Sequence, residues 1–172
     1  MAVREIVTLG AKILKRKAQS VDDFGPELQT LINDMIETMR AAPGVGLAGP
    51  QVNSSLRVIV VEFGDAEDEE VPKKLYSVVN PEISRSSTET IVAAEGCLSI
   101  PGLLGDVERA EAVTIVGKNR RGQPIKIKAS GWLARIFQHE IDHVNGILFL
   151  DRAEKVYEPV EEDDSEQEEA DS

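Results

Sequence analysis

Two histidines four residues apart hold the chemistry of this chain. They lie in His139-Glu140-Ile141-Asp142-His143, an H-E-x-x-H pattern, and the chain has no other histidine. An i,i+4 pair shares one helical face, so both imidazoles can reach one metal ion. Glu140 projects beside them, where a carboxylate can move protons to and from a metal-activated water. A structural pair is the alternative reading, but burying two imidazoles without a role forfeits hydrogen bonds. A catalytic tetrahedral site commonly uses three protein ligands plus a water. A third ligand must therefore come from outside this helix. The extension H-E-x-x-H-x-x-G-x-x-H fits at Gly146 and fails at Phe149. A downstream glutamate ligand would have to come from in or beside the polar tail, a poor place for a packed site. Cys97, the only cysteine, is then the leading third ligand. A lone cysteine is otherwise a small buried hydrophobe, or a nucleophile, for which a base is wanted while both histidines are committed.

The elements that must position these groups follow from periodicity. Ser130–Phe149 reads as one buried helix, with Leu133, Ile136, Phe137, Ile141 and Val144 at helical spacing. Ser130 is the expected N-cap, and Gly146 takes the left-handed C-terminal position. An earlier amphipathic helix opens at Asp22-Asp23-Phe24-Gly25-Pro26, with an Asp as cap. It carries Leu28, Leu31, Ile32, Met35, Ile36 and Met39 on its core face. Lys12–Ala18 has a short helical tendency. Gly44-Val45-Gly46-Leu47-Ala48-Gly49-Pro50-Gln51 contains G-x-G-x-x-G, but a helix precedes it and Pro50 follows, so a dinucleotide site is excluded by context. A ligand-facing loop ending in the Gln51 amide is expected instead. Strands are expected at Leu56–Phe63, Leu75–Ile83 and Thr88–Ala94. Ala112–Lys118 and Pro124–Ala129 form a hairpin around Asn119-Arg120-Arg121-Gly122. The fold class is α+β: largely antiparallel sheets wrapped around a central metal-binding helix.

With 172 residues the chain suffices for one domain with a full core. The expected division is a catalytic domain over 1–152 and an acidic tail over 153–172. The net charge is −12, and nine of the 31 acids fall in Glu158–Ser172, which has no Lys or Arg. The remainder is nearly balanced, with 22 acids against 19 bases. The tail reads as a solvated disordered run rather than a binding element. No basic surface points to nucleic acid, and no apolar run approaches membrane-spanning length. A single cysteine excludes an internal disulfide and fits a reducing cytosol. The start lacks a signal-peptide pattern. The expectation is a cytoplasmic monomer.

Three stretches together resemble the signatures of the peptide deformylases. The family pattern is G-x-G-x-A-A-P-Q, then E-G-C-x-S, then Q-H-E-x-D-H. Glu95–Ser99 and Gln138–His143 match fully. Gly44–Gln51 departs once, with Gly49 in place of Ala, and extra backbone freedom is expected there. The likeness runs from about Ile6 to Arg152, in family order and spacing.

The resemblance implies removal of the formyl group from the N-terminal formyl-methionine of nascent chains, with release of formate. It implies that Cys97, His139 and His143 bind one divalent ion, Fe(II) in the first place, with Ni, Co or Zn as substitutes. It implies that Glu140 carries the proton, while the Gln51 side chain and the Leu98 backbone N–H hold the oxyanion. Val45, Gly46 and Gly96 would pair with the peptide backbone as with an added strand. The methionine side chain would enter a pocket near Val45, Trp132, Arg135, Ile136 and His139. Arg135 is expected to lay its stem on that pocket and keep its charge in water. Trp132 and Ile136 could equally be core. Gln138 and Asp142 would orient the histidines or form a solvated face. An acidic tail would be repelled by ribosomal RNA, so any ribosome proximity would be transient and not through the tail. Two rivals stand beside this reading: a metallopeptidase using the same helix, and a non-enzymatic, metal-stabilised binding module.

Overall fold

The hydrophobic alternation of Val58-Ile59-Val60-Val61 organises the molecule. In the computed structural model, which describes residues 2–64, 68 and 70–159, all four side chains are fully buried. Ile59 and Val61 pack with Phe137, Ile141 and Val144 of the histidine helix. Val58 and Val60 face the other way, into Leu31, Ile32, Met35 and Met39 of the first helix. Period-two side chains thus serve two cores from one strand. Each fully buried aliphatic side chain contributes about 1.5–3 kcal/mol relative to exposure.

The strands in chain order are β1 (Gly46–Ala48), β2 (Val58–Phe63), β3 (Lys74–Ser86), β4 (Thr90–Cys97), β5 (Ile100–Ala110), β6 (Ala112–Lys118), β7 (Pro124–Ser130) and β8 (Lys155–Tyr157). The helices are α1 (Pro26–Ala41), α2 (Gly131–Val144) and α3 (Phe149–Arg152). One sheet has the order β1-β2-β3-β6-β7 and a second has the order β4-β5-β8. Every pairing of these strands is antiparallel. The α+β expectation holds, with α2 central and buried along nearly its whole length. A third cluster, Leu14, Ile100, Val107, Leu148 and Phe149, ties the N-terminal segment and α3 to β5.

Several boundaries differ from expectation. The histidine helix ends at Val144, and Phe149 starts a separate turn of helix. Ser130 occupies the N-cap without a side-chain cap bond. Gly146 does take the left-handed conformation, with φ +76°, and Ile147 N–H returns to the Asp142 carbonyl at 2.9 Å. A Cβ there would stand 2.7 Å from the Lys15 carbonyl oxygen, so the N-terminal segment crosses over bare backbone. Gly25, not an aspartate, is the N-cap of α1. Asp23 instead accepts the Gly25 N–H at 2.8 Å and fixes the turn ahead of the helix. Lys12–Lys15 forms one 3₁₀ turn.

Strand β5 was not legible in the sequence. Its buried positions are Ile100, Gly105, Val107 and Arg109, and a glycine and a buried cation hide the alternation. β8 lies beyond the boundary expected at Arg152 and pairs Tyr157 with Leu104. Residues 160–172 of the expected acidic tail lie outside the described residues.

Candidate active site

The three expected ligands come from two elements. His139 and His143 stand on α2, and Cys97 ends β4. One donor atom from each lies within 4.8 Å of the other two. Cys97 Sγ is 3.3 Å from His143 Nε2, and the two imidazole centroids are 5.0 Å apart. A thiol and two imidazoles at this spacing suit a borderline-soft divalent ion. The site therefore fits a metal on its own donor chemistry.

Glu95 fixes the orientation of His139. Its Oε1 lies 2.9 Å from His139 Nδ1. With the carboxylate ionised, the Nδ1–H donates, and Nε2 is left as the ligand atom. Glu95 is in turn gripped by Arg109 through Nε at 2.9 Å and a terminal nitrogen at 2.8 Å. Arg135 reaches its other oxygen at 2.6 Å. Arg109 continues to Asp142 at 2.5 Å, and Arg152 closes the chain onto Asp142 at 2.7 and 3.0 Å. Burial pushes the Glu95 pKa up, but the bonds from Arg109 and His139 hold it down to about 2. Isolated buried charges would be prohibitive, and the pairing makes this cluster tolerable.

The surroundings push the two histidines in opposite directions. Burial disfavours a charged His139, yet the bonds to Cys97 and Glu95 raise its pKa to about 10. Uptake of a metal ion requires that proton to leave. Burial first, and then the charges of His139 and Arg109, lower His143 well below the ordinary range. His143 Nδ1 is buried with no partner among the described residues.

Glu140 sits between the ligands and β1. It is 3% exposed, and its Oε1 has no hydrogen-bond partner among the described residues. Burial pushes its pKa up to about 7, a value suited to taking and returning a proton near neutral pH. Gly46 makes the room for it. A Cβ at Gly46 would collide with the carboxylate and lie 2.9 Å from both Glu140 Cγ and Cδ.

Gln51 is locked by its own loop. Its Oε1 accepts the Ala48 N–H at 3.0 Å. That choice turns Nε2 toward Ser99 Oγ at 3.1 Å and Cys97 Sγ at 3.5 Å. A donor thereby points at the ligand cluster. Leu98 follows Cys97 in the turn between β4 and β5 and lines the same cavity. Gly49 does not have a positive φ, so conformational freedom is not its role. A Cβ there would stand 2.5 Å from the Leu56 carbonyl oxygen. The glycine admits a close backbone, which corrects the expectation of extra freedom.

Gln51, Cys97, Leu98, His139 and Glu140 share a cavity of about 420 Å³, with His143 buried behind its wall. Its walls include Val45 and Gly46 on one side, Gly96 and Leu98 on the other, and Trp132, Arg135, Ile136, His139 and Glu140 from α2. Trp132 is 42% exposed at the rim and is not core. Ile136 lines the cavity and also packs in the central core.

Arg135 corrects the expectation for its charge. Its guanidinium is buried and donates to Glu95, to the Val107 carbonyl at 2.9 Å and to the Ile91 carbonyl at 2.6 Å. The side chains of Gln138 and Asp142 make no hydrogen bond to either histidine among the described residues, and both are buried. Gln138 clamps α2 to β5 through both backbone groups of Ala110, while Asp142 holds the two arginines.

Sequence reasoning missed the roles of Glu95, Ser99 and Arg109, and the cavity wall at Ile100–Leu104. Glu95 and Ser99 flank Cys97 in E-G-C-x-S, and a carboxylate and a hydroxyl that close to a candidate ligand are themselves the signal. Arg109 carried no local signal.

The sequence model of the polypeptide deformylase family matches residues 3–158. A peptide deformylase of Symbiobacterium thermophilum is 48% identical over 170 residues, covering 99% of this chain and 75% of the relative. One from Pelotomaculum thermopropionicum is 46% identical over 165 residues, covering 95% of this chain and all of the relative. The crystal structure of a peptide deformylase from Thermotoga maritima superposes with a TM-score of 0.83 at 38% identity, covering 90% of this chain and 100% of that one. A Met-Ala-Ser-bound class I type b peptide deformylase from Acinetobacter baumannii gives a TM-score of 0.81 at 39% identity, covering 88% of this chain and 98% of that one.

Proposed function

This chain belongs to the peptide deformylase family, and we infer that the centre formed by Cys97, His139, His143 and Glu140 carries out the family's reaction on it. That reaction is hydrolysis of the formyl group from the N-terminal formyl-methionine of newly made polypeptides, with release of formate. The observation that carries the assignment is three converging metal donors, two of them in the wall of one cavity that also holds a buried carboxylate with a free oxygen and an oriented amide donor.

The reaction is metal-dependent. Cys97, His139 and His143 are the proposed ligands, and Fe(II) is the proposed ion, with Ni, Co or Zn able to substitute. A bound divalent ion acidifies water toward hydroxide near neutral pH and polarises the formyl oxygen. Glu140 takes the proton of the attacking water and hands it to the leaving amine. Its raised pKa lets it do both. Gln51 Nε2 and the Leu98 N–H donate to the oxygen that becomes negative in the tetrahedral intermediate. Ala48 and Ser99 hold the Gln51 amide in advance, and the second Nε2–H, directed at Cys97 Sγ in this structure, is the one that would turn to the oxyanion. Val45, Gly46 and Gly96 are proposed to bind the peptide as an added strand, between the β1 edge and β4. The Met-Ala-Ser bound by the Acinetobacter baumannii structure supports a short methionyl peptide as ligand here. Among the described residues no helix is long and apolar enough to cross a membrane. The nascent-chain substrate and the lone thiol support a cytoplasmic address.

The test is formate release from formyl-Met-Ala-Ser by protein prepared without oxygen and loaded with Fe(II) or Ni(II), beside N-acetyl and unblocked peptides. Release from the formyl peptide alone is expected. Internal cleavage would transfer the assignment to a peptidase, and no turnover with metal bound would leave a binding module.

A further inference from the structure

Arg135 is an unusual group in a cavity for an apolar side chain. It stands one helical turn before His139, and its neighbours on the cavity wall include Trp132, Ile136 and Leu104. Its guanidinium carbon lies 5.8 Å from the centroid of the half-exposed Trp132 ring. Three of its N–H groups are spent, on Glu95, Val107 and Ile91. The Nε–H and one terminal N–H have no acceptor among the described residues. A guanidinium has five donors and no acceptor, and the unspent Nε–H is still reached by solvent, since Arg135 Nε is not among the fully buried unpartnered atoms of the described residues.

The charge itself is already matched. Glu95 pairs with Arg135 at 2.6 Å, so the cavity offers unspent donors rather than a free cation. That combination favours a neutral group with a strong acceptor oxygen over a carboxylate, and it rejects a lysine or arginine side chain. A thioether is only a weak acceptor. Methionine sulfoxide keeps methionine's length and adds one strongly polar oxygen at sulfur.

Resting on the deformylase reading, we propose that this cavity also takes N-formyl-methionine sulfoxide, with Arg135 donating a hydrogen bond to the sulfoxide oxygen. Arg135 is thereby the residue that sets side-chain selectivity. The sulfoxide is left unchanged; the bond broken is still the formyl amide. The enzyme would process chains whose initiator methionine is already oxidised, where a wholly apolar pocket would exclude them by leaving the oxygen unpartnered.

The experiment compares kcat/KM for formyl-Met-Ala-Ser, formyl-Met-sulfoxide-Ala-Ser and formyl-norleucyl-Ala-Ser. Norleucine has methionine's shape without an acceptor. Wild-type enzyme is expected to hydrolyse the sulfoxide peptide at least as well as the norleucine peptide. In Arg135→Leu the sulfoxide-to-norleucine ratio should fall about ten- to a hundred-fold, the worth of a hydrogen bond from a charged donor. The ratio within each protein cancels any general loss from disturbing Glu95. A wild-type ratio below about one hundredth, the cost of an unpartnered buried oxygen, overturns the proposal without any variant. An unchanged ratio in Arg135→Leu also overturns it. Failure of wild-type enzyme on formyl-Met-Ala-Ser itself would instead remove the deformylase reading.

Discussion

Gly46→Ala separates activity from stability at a single atom. Gly46 lies in β1, and its Cβ would fall 2.9 Å from Glu140 Cγ and Cδ. Carbon atoms pack at about 3.5–4.0 Å. Glu140 must therefore retreat by about 1 Å, and a displacement of that size at a reacting group costs about a hundred-fold in rate. That is about 2.7 kcal/mol of barrier. The fold should scarcely register the change. Gly46 does not have a positive φ, and the atom it pushes is the far end of a flexible side chain. Replacing glycine at a compatible position even stabilises by about 0.4–1 kcal/mol through the unfolded chain. The expected result is kcat lowered about a hundred-fold, with KM changed far less. Metal content should stay at one per chain, and Tm should move by no more than about 4 °C. The assays are steady-state formate release, metal analysis and calorimetry on the same preparation. A kcat within about three-fold of wild type would mean that Glu140 position does not limit the rate, and the argument from the Gly46–Glu140 contact would fail.

Glu140→Gln should keep the metal and lose about 10²–10⁴ in kcat; loss of metal from this variant would contradict a proton-carrying role. Gln51→Ala should lower kcat about 10²–10³-fold by removing one oxyanion donor, and a change confined to KM would show that Gln51 binds ground-state substrate only. Arg109→Met leaves Glu95 and Asp142 short of a buried partner and should cost about 3–5 kcal/mol in urea denaturation, with metal occupancy reduced; an unshifted midpoint would deny the ion network a structural role. Gly49→Ala restores the family residue yet should destabilise by about 1–3 kcal/mol, because the new methyl meets the Leu56 carbonyl at 2.5 Å. A more stable Gly49→Ala protein would show that this backbone relaxes freely.

The sequence by itself was enough for which face of a helix a residue occupies, though not for the caps and ends of the helices. His139 and His143 share a helical face because a helix turns every 3.6 residues, whatever surrounds it. Met35 and Met39 were core by the same period, and both are fully buried. Elimination within the chain left Cys97 as the leading third ligand, since the other expected donors were absent or poorly placed. The tertiary structure decided what depends on distance in space. Arg109 lies 33 residues from Asp142 and 14 from Glu95, and no pattern announces that the three meet. Arg135 looks like an exposed helix residue until β4 and β5 close over it and remove water, whereupon its charge must find Glu95 or not be buried at all. The roles of Gly46 and Gly49 were equally invisible. Each is set by an atom brought against it by another part of the chain, the Glu140 carboxylate for one and the Leu56 carbonyl for the other. Local periodicity thus fixes which face a side chain occupies, while long-range packing fixes which partner it meets there, and it is the partner that turns a carboxylate into a proton carrier or an anchor.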